Sequence, residues 1–367
     1  MDFYCTENQL IVQIDNIIYM RVLNLEHDLC LATEEVNFIP PKAVVEFARR
    51  CRWIERFMRA PEGEVRSIVA WGWDMQLRER LLKEGVPEGE LPAREELEFI
   101  KENSRREMAV ELLGYVKGNF EDWDNGGKIV PSEYRIVAHS LQEIEGFLQE
   151  KGKAVLKAPL SGSGKGIRFV TKELMETDRG WCMRILGSQG AVMVEERLDV
   201  VQEFAMLFEV EDRGIKFLGY SMFYASNGAY RGNLLASNGY LEEKLVEIAS
   251  KEIAANIAPG RPEERAEDEM SGKPEARVTV KTLEKIREMV AGFLQQRLGG
   301  KYTGYVGVDM FLYRDCEGKI RMNPAVEINL RMTMGLIARN IYDYHRGEFQ
   351  LGEGTHCFEP ERGIFKM

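Results

Sequence analysis

The stretch at residues 157–167 has the composition of a phosphate-binding loop. It begins with Lys157, at the end of an apolar strand-like segment, and continues as Ala-Pro-Leu-Ser-Gly-Ser-Gly-Lys-Gly-Ile. Alternating glycines leave backbone N–H groups exposed, so such a loop can wrap a polyphosphate, to which a lysine adds charge. It is neither a Walker loop nor a GxGxxG loop, and a plain Gly/Ser hairpin turn is the alternative. The residues that would contact phosphate are Ser161, Gly162, Ser163, Gly164, Lys165 and Gly166.

A second group of polar residues lies near the C-terminus. Glu327 and Asn329 are two residues apart, so on a strand their side chains face the same side. If two strands pair through the turn at 315–318, Asp309 joins them. Carboxylate and amide oxygens suit Mg²⁺ that bridges to phosphates, and Arg331 could neutralise a transferred phosphoryl group or bind a carboxylate. A solvated strand face is the alternative.

The elements that would position these two groups of polar residues are strands and helices that alternate along the chain. Residues 10–23 and 67–73 are typical of strands, and 94–116 of a helix. The alternation predicts an α/β layer structure. A segment rich in Asn, Asp and Gly at 119–128 indicates a loop near a domain boundary, and the proline- and charge-rich segment 258–277 indicates a mobile surface loop.

The composition excludes several classes of protein. The chain of 367 residues has 49 Lys and Arg against 60 Asp and Glu, a net charge of −11, so it is a poor ligand for nucleic acid or an anionic membrane. No apolar run approaches the roughly 18–20 residues of a transmembrane helix, and the N-terminus lacks a signal-peptide pattern. Six scattered cysteines without CxxC spacing suit reduced thiols. We therefore expect a cytoplasmic protein.

Taken together, the motifs resemble the ATP-grasp superfamily. Residues 327–331, Glu-Ile-Asn-Leu-Arg, are similar to its E-x-N-x-R metal and phosphate motif, and Lys157 with the Gly/Ser loop is similar to its phosphate-covering loop. Between them, residues 192–198, Val-Met-Val-Glu-Glu-Arg-Leu, resemble the strand that contacts adenine. The resemblance extends over about residues 100–345.

This resemblance implies ATP as cofactor, with one or two Mg²⁺ ions or alternatively Mn²⁺. Lys157 would contact the α-phosphate and adenine, and Arg105 or Arg106 the phosphates, where the superfamily usually has a lysine; a solvated helix face is the alternative for these arginines. The metal ligands would be Asp309, Glu327 and Asn329. The residues near adenine and ribose would be Glu195, Glu196, Leu198 and Glu203.

The resemblance also implies the architecture, an α/β (α+β) protein with two ATP-grasp lobes that follow a small Rossmann-like domain. We expect the N-terminal domain at 1–100, the first lobe at 101–198, the second lobe at 199–350 and a tail at 351–367. The N-terminal domain would help to bind the acceptor. Its segments 24–28 and 71–74 follow strand-like stretches, where ligand loops of open sheets lie, although Asn24 and Asp28 are favoured as turn residues.

The predicted activity is ATP-dependent ligation. A small-molecule or peptide carboxylate would attack the γ-phosphate, and an amine would capture the acyl phosphate, releasing ADP and phosphate. Arg231, in a glycine-bounded segment at 227–233, could close over the acyl phosphate, or the segment could be a hairpin tip. Two alternative functions are a nucleotide-binding regulator without turnover and a phosphotransferase that acts on a non-carboxylate acceptor. The sequence determines neither the substrates nor the oligomeric state, and it is compatible with a homo-oligomer.

Overall fold

The structure is a computed structural model that describes residues 3–6, 9–14, 17–33, 38–62, 66–119, 129–162, 166–226, 229–250 and 278–367. The predicted loop at 258–277 and nearly all of that at 119–128 lie outside these ranges. No helix in these ranges is long and apolar enough to cross a membrane. The strands are β1 (Phe3–Thr6), β2 (Gln9–Ile14), β3 (Ile17–Val22), β4 (Ile68–Ala70), β5 (Arg135–Ala138), β6 (Lys153–Lys157), β7 (Ile167–Thr171), β8 (Val192–Glu196), β9 (Asp199–Glu211), β10 (Gly214–Ser226), β11 (Ala229–Leu235), β12 (Gly304–Arg314), β13 (Ile320–Asn329), β14 (His356–Glu359) and β15 (Gly363–Lys366). The helices are α1 (His27–Leu31), α2 (Lys42–Arg50), α3 (Met75–Lys83), α4 (Arg94–Asn103), α5 (Glu107–Asn119), α6 (Leu141–Lys151), α7 (Glu176–Gln189), α8 (Asn238–Ser250), α9 (Val280–Leu298) and α10 (Met334–His345).

The N-terminal sheet contains β1 to β4 in the order of the chain. Strands β3 and β4 run parallel, so the segments that follow Val22 and Ala70 leave the sheet at the same edge. Strands β1, β2 and β3 pair antiparallel. The meander of β1 to β3 differs from the Rossmann-like arrangement that we expected, because only two residues separate β1 from β2 and β2 from β3, too few for the crossover that parallel strands need.

The second sheet lies within the range predicted for the first lobe and has the strand order β5-β8-β6-β7. Helices α6 and α7 cover it, and their Phe147 and Trp181 pack in one core with Leu156 and Val194 of the strands. The Gly/Ser loop joins β6 to β7, which are antiparallel neighbours. Strand β8, the predicted adenine strand, lies inside the sheet between β5 and β6.

The third sheet has seven strands in the order β13-β12-β9-β10-β11-β14-β15. Side chains of β9 alternate between its faces: Phe204 and Met206 pack with α5, α8 and α9, whereas Ala205 and Leu207 pack with α10. Residues 351–367, which we expected to form a tail, supply β14 and β15. Strand β11 begins within the segment 227–233 and pairs antiparallel with β10, which agrees with the hairpin tip that was one of the two interpretations of this segment. The predicted mixed α/β class is confirmed.

The N-terminal domain and the seven-stranded sheet share one hydrophobic core. Ile54 and Trp71 cluster with Leu207, Leu336 and other buried residues of the sheet and α10. The backbone N–H of Met332 donates to the carbonyl of Trp71 at 2.8 Å. The domain therefore covers the same face of the sheet as α10, and its loops can reach residues on that face.

The predicted helix at 94–116 is interrupted between α4 and α5. The side chains of Asn103 and Ser104 donate to the carbonyls of Phe99 and Ile100 at 2.8 and 2.7 Å, one turn earlier. Such bonds compete with the backbone ladder of a helix. The N–H of Arg106 then leaves the helical pattern and donates to the carbonyl of Pro159 at 3.1 Å. The interruption thus turns Arg106 toward the Gly/Ser loop.

Candidate active site

The predicted hairpin at 304–329 forms and brings two carboxylates together. Asp309 and Glu327 are direct partners across the antiparallel ladder of β12 and β13, and Nδ2 of Asn329 donates to Oδ2 of Asp309 at 3.2 Å. Burial and the adjacent charge of Glu327 raise the pKa of Asp309 to about 7. We call Asp309, Glu327 and Asn329 the acidic trio. Its two carboxylates repel each other unless a proton or a cation lies between them.

The donor set of the acidic trio fits a magnesium ion that is shared with phosphate. Its ligands would all be oxygens, which Mg²⁺ prefers. Within the described part of the chain, no three His, Cys, Asp or Glu side chains are grouped so that they could hold a metal by themselves. Proteins usually hold Mg²⁺ through one or two carboxylates, and substrate phosphates and water complete the octahedron. Two carboxylates and one amide suit such a shared complex.

Arg106 joins the Gly/Ser loop to the acidic trio. Its Nη2 donates to Oε1 of Glu327 at 2.9 Å, and its Nη1 donates to Oγ of Ser161 at 3.0 Å and to the carbonyl of Ala158. The residue is buried, which excludes a solvated helix face. Arg105 points elsewhere, to Glu107 and the carbonyl of Gln189. Of the two predicted arginines, Arg106 is therefore the one beside the acidic trio.

Arg331 is held by Asp28, a residue that we expected to serve a turn. Nε and Nη2 of Arg331 donate to the two oxygens of Asp28, each at 2.7 Å. Burial alone would raise the pKa of Asp28, but the charge and hydrogen bonds of Arg331 outweigh it and lower the pKa. The two residues lie 303 positions apart. The only sequence signal for Asp28 was its place after a predicted strand.

Lys157, at the end of β6, is paired with Glu195 of β8. Its Nζ lies 2.5 Å from Oε2 of Glu195, and Nη1 of Arg135 lies 3.8 Å from Oε1 of the same carboxylate. Burial raises the pKa of Glu195, but Lys157 and Arg135 together lower it below its usual range. Glu195 is therefore an ionised counter-charge between two cations, a role that sequence reasoning did not predict for it.

At the Gly/Ser loop, the structure describes both ends. A Cβ atom at Gly166 would lie 2.2 Å from the Cβ of Ser161, so only glycine fits there. At Gly162 a Cβ would lie 3.1 Å from the side chain of Leu29, which places helix α1 against the loop. The predicted phosphate contacts Ser163, Gly164 and Lys165 lie outside the described residues.

The other predicted site residues lie on or beside strands β8, β9 and β11. Glu196 ends β8, and Leu198 packs against the core of the seven-stranded sheet. Glu203 lies on β9 opposite Phe311 of β12, and burial raises the pKa of its carboxyl. Arg231 is exposed on β11. It is not among the described residues that line the cleft beside the acidic trio.

That cleft is formed by three separate parts of the chain. The N-terminal domain contributes the start of α1, the first lobe contributes the beginning of the Gly/Ser loop, and β13 contributes the end of the hairpin. The lining residues are His27, Asp28, Ser104, Pro159, Leu160, Ser161, Glu327, Ile328, Asn329, Leu330 and Arg331. Predicted residues from both motifs thus meet in one cleft, together with His27 and Asp28.

No family model and no curated protein matches this chain. Similar solved structures include N5-carboxyaminoimidazole synthetase from Staphylococcus aureus with ADP (16% identity, 71% of this chain and 50% of that chain, TM-score 0.37). A second is a biotin carboxylase–ATP complex from Campylobacter jejuni, with 11% identity over 75% of this chain and 50% of that chain and a TM-score of 0.43. A third is D-alanyl-alanine synthetase A from Vibrio cholerae, with 16% identity over 77% of this chain and 73% of that chain and a TM-score of 0.37. These structures are ATP-grasp enzymes. The chain spans about half the length of the first of them. Such identities and TM-scores are too low to transfer a substrate or a reaction.

Proposed function

We propose that this chain is an ATP- and Mg²⁺-dependent ligase of the ATP-grasp type. It activates a substrate carboxylate as an acyl phosphate and transfers the acyl group to an amine-type nucleophile, with an amino acid or a peptide as the substrate class. The observation that carries the proposal is the position of Arg106, whose guanidinium contacts both Ser161 and Glu327. A buried cation between a glycine-rich loop and two carboxylates suits a polyphosphate with its metal.

The nucleotide would lie between the first lobe and the seven-stranded sheet. The Gly/Ser loop and Lys157 would contact the phosphates, and β8 with the residues after it would border the adenine, with Glu203 at the ribose. The net charge of −11 makes local cations necessary for an anionic ligand. Lys157, Arg106 and Arg331 are such cations, and carboxylates hold each of them in place.

Asp309, Glu327 and Asn329 would hold Mg²⁺, which when bound stabilises charge on the transferring phosphoryl group. The substrate carboxylate oxygen attacks the γ-phosphorus, the bond to the bridging oxygen breaks, and ADP leaves. The guanidinium group of Arg331 balances negative charge on the transferring phosphoryl oxygens, and Arg106 binds the phosphates of the nucleotide. The amine nitrogen then attacks the carbonyl carbon of the acyl phosphate, and inorganic phosphate leaves.

The N-terminal domain is proposed to contribute the acceptor side of the site. Its Asp28 already contacts Arg331, and Leu29 packs near Gly162. We also propose a cytoplasmic location, because the described cysteines are free rather than paired in disulfides.

The proposal is tested by a phosphate-release screen over pairs of carboxylates and amines, with ATP and Mg²⁺. We expect release with a restricted set of pairs, and a rise in melting temperature with Mg-ATP, because a ligand that binds only the folded state stabilises it. We expect Glu327→Gln to lower release strongly and Glu317→Gln, in the exposed turn of the hairpin, to retain it. A thermal shift without release from any pair would favour a regulator, and release with a non-carboxylate acceptor would favour a phosphotransferase.

A further inference from the structure

Two loops of the N-terminal domain meet at a buried histidine–aspartate pair. The segments that follow β3 and β4 leave the same edge of the sheet. There Nδ1 of His27 lies 3.0 Å from Oδ2 of Asp74. Both residues are about 1% exposed. The activity proposed above does not use either residue.

Asp74 is fixed in place by contacts of its own. Its Oδ1 accepts a hydrogen bond from the N–H of Leu77 at 2.8 Å and caps α3, and its Oδ2 accepts one from Nδ2 of Asn24 at 3.2 Å. A carboxylate cannot donate, so it selects the tautomer of His27 that carries hydrogen on Nδ1. The lone pair of the imidazole then lies on Nε2, the nitrogen that can accept a proton.

The position of the ring is also set by Gly72. A Cβ at this residue would lie 2.7 Å from two ring atoms of His27, so the imidazole lies directly on the backbone of the loop. The two loops do not need the histidine to hold them together. Asn24 already joins them, since its Nδ2 donates to the carbonyl of Gly72 at 2.8 Å.

His27 lines the same cleft as Glu327 and Arg331. The next residue, Asp28, binds Arg331 through both carboxylate oxygens. His27 therefore borders the cleft in which the acyl phosphate of the proposed reaction would form. Nucleophile, base and an orienting third group form the usual arrangement for proton transfer in catalysis.

We propose that His27 is the proton acceptor of the amine-capture step and that Asp74 positions it, an inference that rests on the proposed ligase function. The amine nitrogen attacks the carbonyl carbon of the acyl phosphate and a C–N bond forms. The C–O bond to the phosphate breaks, and inorganic phosphate leaves with the bonding electrons. The proton of the attacking nitrogen moves to Nε2 of His27. His27 takes no part in formation of the acyl phosphate.

The test separates the two half-reactions with two nucleophiles. Full-length protein is incubated with Mg-ATP, a pool of the twenty protein amino acids as carboxylates, and either ammonium chloride or hydroxylamine. Hydroxylamine is largely uncharged at neutral pH and is nucleophilic enough to attack an acyl phosphate without catalysis, its proton passing to water. Ammonium must first lose a proton and forms a weaker nucleophile, so its capture depends on a base. We expect His27→Gln to lower amide formation about 10²-fold or more and to retain hydroxamate formation within about twofold.

Asp74→Asn is the second variant, chosen because it should fold. An asparagine oxygen can still accept from Leu77, whereas its amide would donate to the imidazole and place the proton on Nε2, the wrong tautomer. The bond from Asn24 to this position is lost, but Asn24 keeps its bond to the carbonyl of Gly72. We expect the same selective loss of amide. His139→Gln, at an exposed histidine of the first lobe, is the matched control and should change neither product. A retained thermal shift with Mg-ATP shows that each variant is folded.

Three results would overturn the inference. Equal losses of amide and hydroxamate in a folded variant would indicate a role in carboxylate activation or in structure. Unchanged formation of both products would show that the pair is only structural. If wild-type protein releases no phosphate with either nucleophile, the ligase function itself fails, and this is distinguished from the other two results by the wild-type control.

Discussion

Two arginines flank the acidic trio, and they differ in what holds them. Arg106 pairs with Glu327, a predicted metal ligand, whereas Arg331 pairs with Asp28, which belongs to the N-terminal domain. A cation that binds Glu327 must compete with Arg106, but it leaves the partner of Arg331 unchanged. Arg106 can therefore change partners when nucleotide and metal bind, whereas Arg331 is already positioned before either binds.

The largest effect is expected when the acidic trio loses a charge. Glu327→Gln keeps the shape of the side chain but removes the negative charge that would hold Mg²⁺. We expect phosphate release to fall about 10³-fold, in the range seen when a group that stabilises transition-state charge is removed. Steady-state release at saturating ATP measures this. Wild-type turnover in this variant would remove the basis for the metal site and for the contrast between the arginines.

A smaller effect, on kcat, is expected from Arg331. Arg331→Lys cannot reproduce the paired bonds to Asp28, because an ammonium group lacks the planar fork of a guanidinium. We expect kcat to fall about 10²-fold and the KM for ATP to change little, since the group is already positioned without nucleotide. Initial rates over a range of ATP concentrations separate the two constants. A change confined to KM would contradict the assignment of Arg331 to the transferring group.

The stability of the metal-free protein should depend on the ionisation of Asp309. Its folded-state pKa of about 7 lies above the unfolded value of about 3.9, so stability falls as pH rises between these values. Asp309→Asn cannot ionise. We expect it to be more stable than wild type by up to about 4 kcal/mol at pH 8 in EDTA, and equally stable at pH 4.

Urea unfolding at both pH values measures this difference, and Asp315→Asn is the control. The pKa of Asp315 is lowered, because its hydrogen bonds to Arg321 and nearby N–H groups outweigh burial. Its substitution should therefore destabilise the protein at pH 8. An Asp309 variant that is less stable than wild type at pH 8 would show that the two carboxylates of the trio do not repel each other.

The smallest effect should come from Arg106 and should appear in nucleotide binding. Arg106→Lys retains a charge but cannot contact Ser161 and Glu327 together. We expect the KM for ATP to rise about tenfold with kcat within about threefold of wild type, the reverse of the pattern for Arg331. The same kinetic series measures it. Identical patterns for the two lysine variants would end the distinction between the arginines.

The parts of the site that could be predicted depend on residues close in sequence. The pairing of Asp309 with Glu327 follows from one hairpin, and Lys157 with its loop follows from one strand end. The ion pair of Arg331 with Asp28 joins residues 303 positions apart, and no local pattern encodes such a contact. Arg106 could be named only as one of two candidates, because the interruption that buries it depends on contacts with Pro159 and Ala158.

The fold shows the same difference between features set by local sequence and features set by contacts between distant residues. Alternation of strands and helices predicted the α/β class, since it follows from local hydrophobic patterns. Strands β14 and β15 were missed, because each has only four residues and β14, on which β15 pairs, is held in the sheet by the distant strand β11. The meander of the N-terminal sheet was missed because parallel and antiparallel strands can have similar sequences.

The core shared by the N-terminal domain and the seven-stranded sheet has a consequence for how the chain folds. Ile54 and Trp71 are buried against Leu207 and Leu336, so neither part completes its interior alone. The two should melt in a single cooperative transition, and a fragment that starts at residue 101 would expose an apolar face and aggregate. The boundary that we predict near residue 100 is therefore not expected to be a site at which the chain can be divided into independently folding pieces.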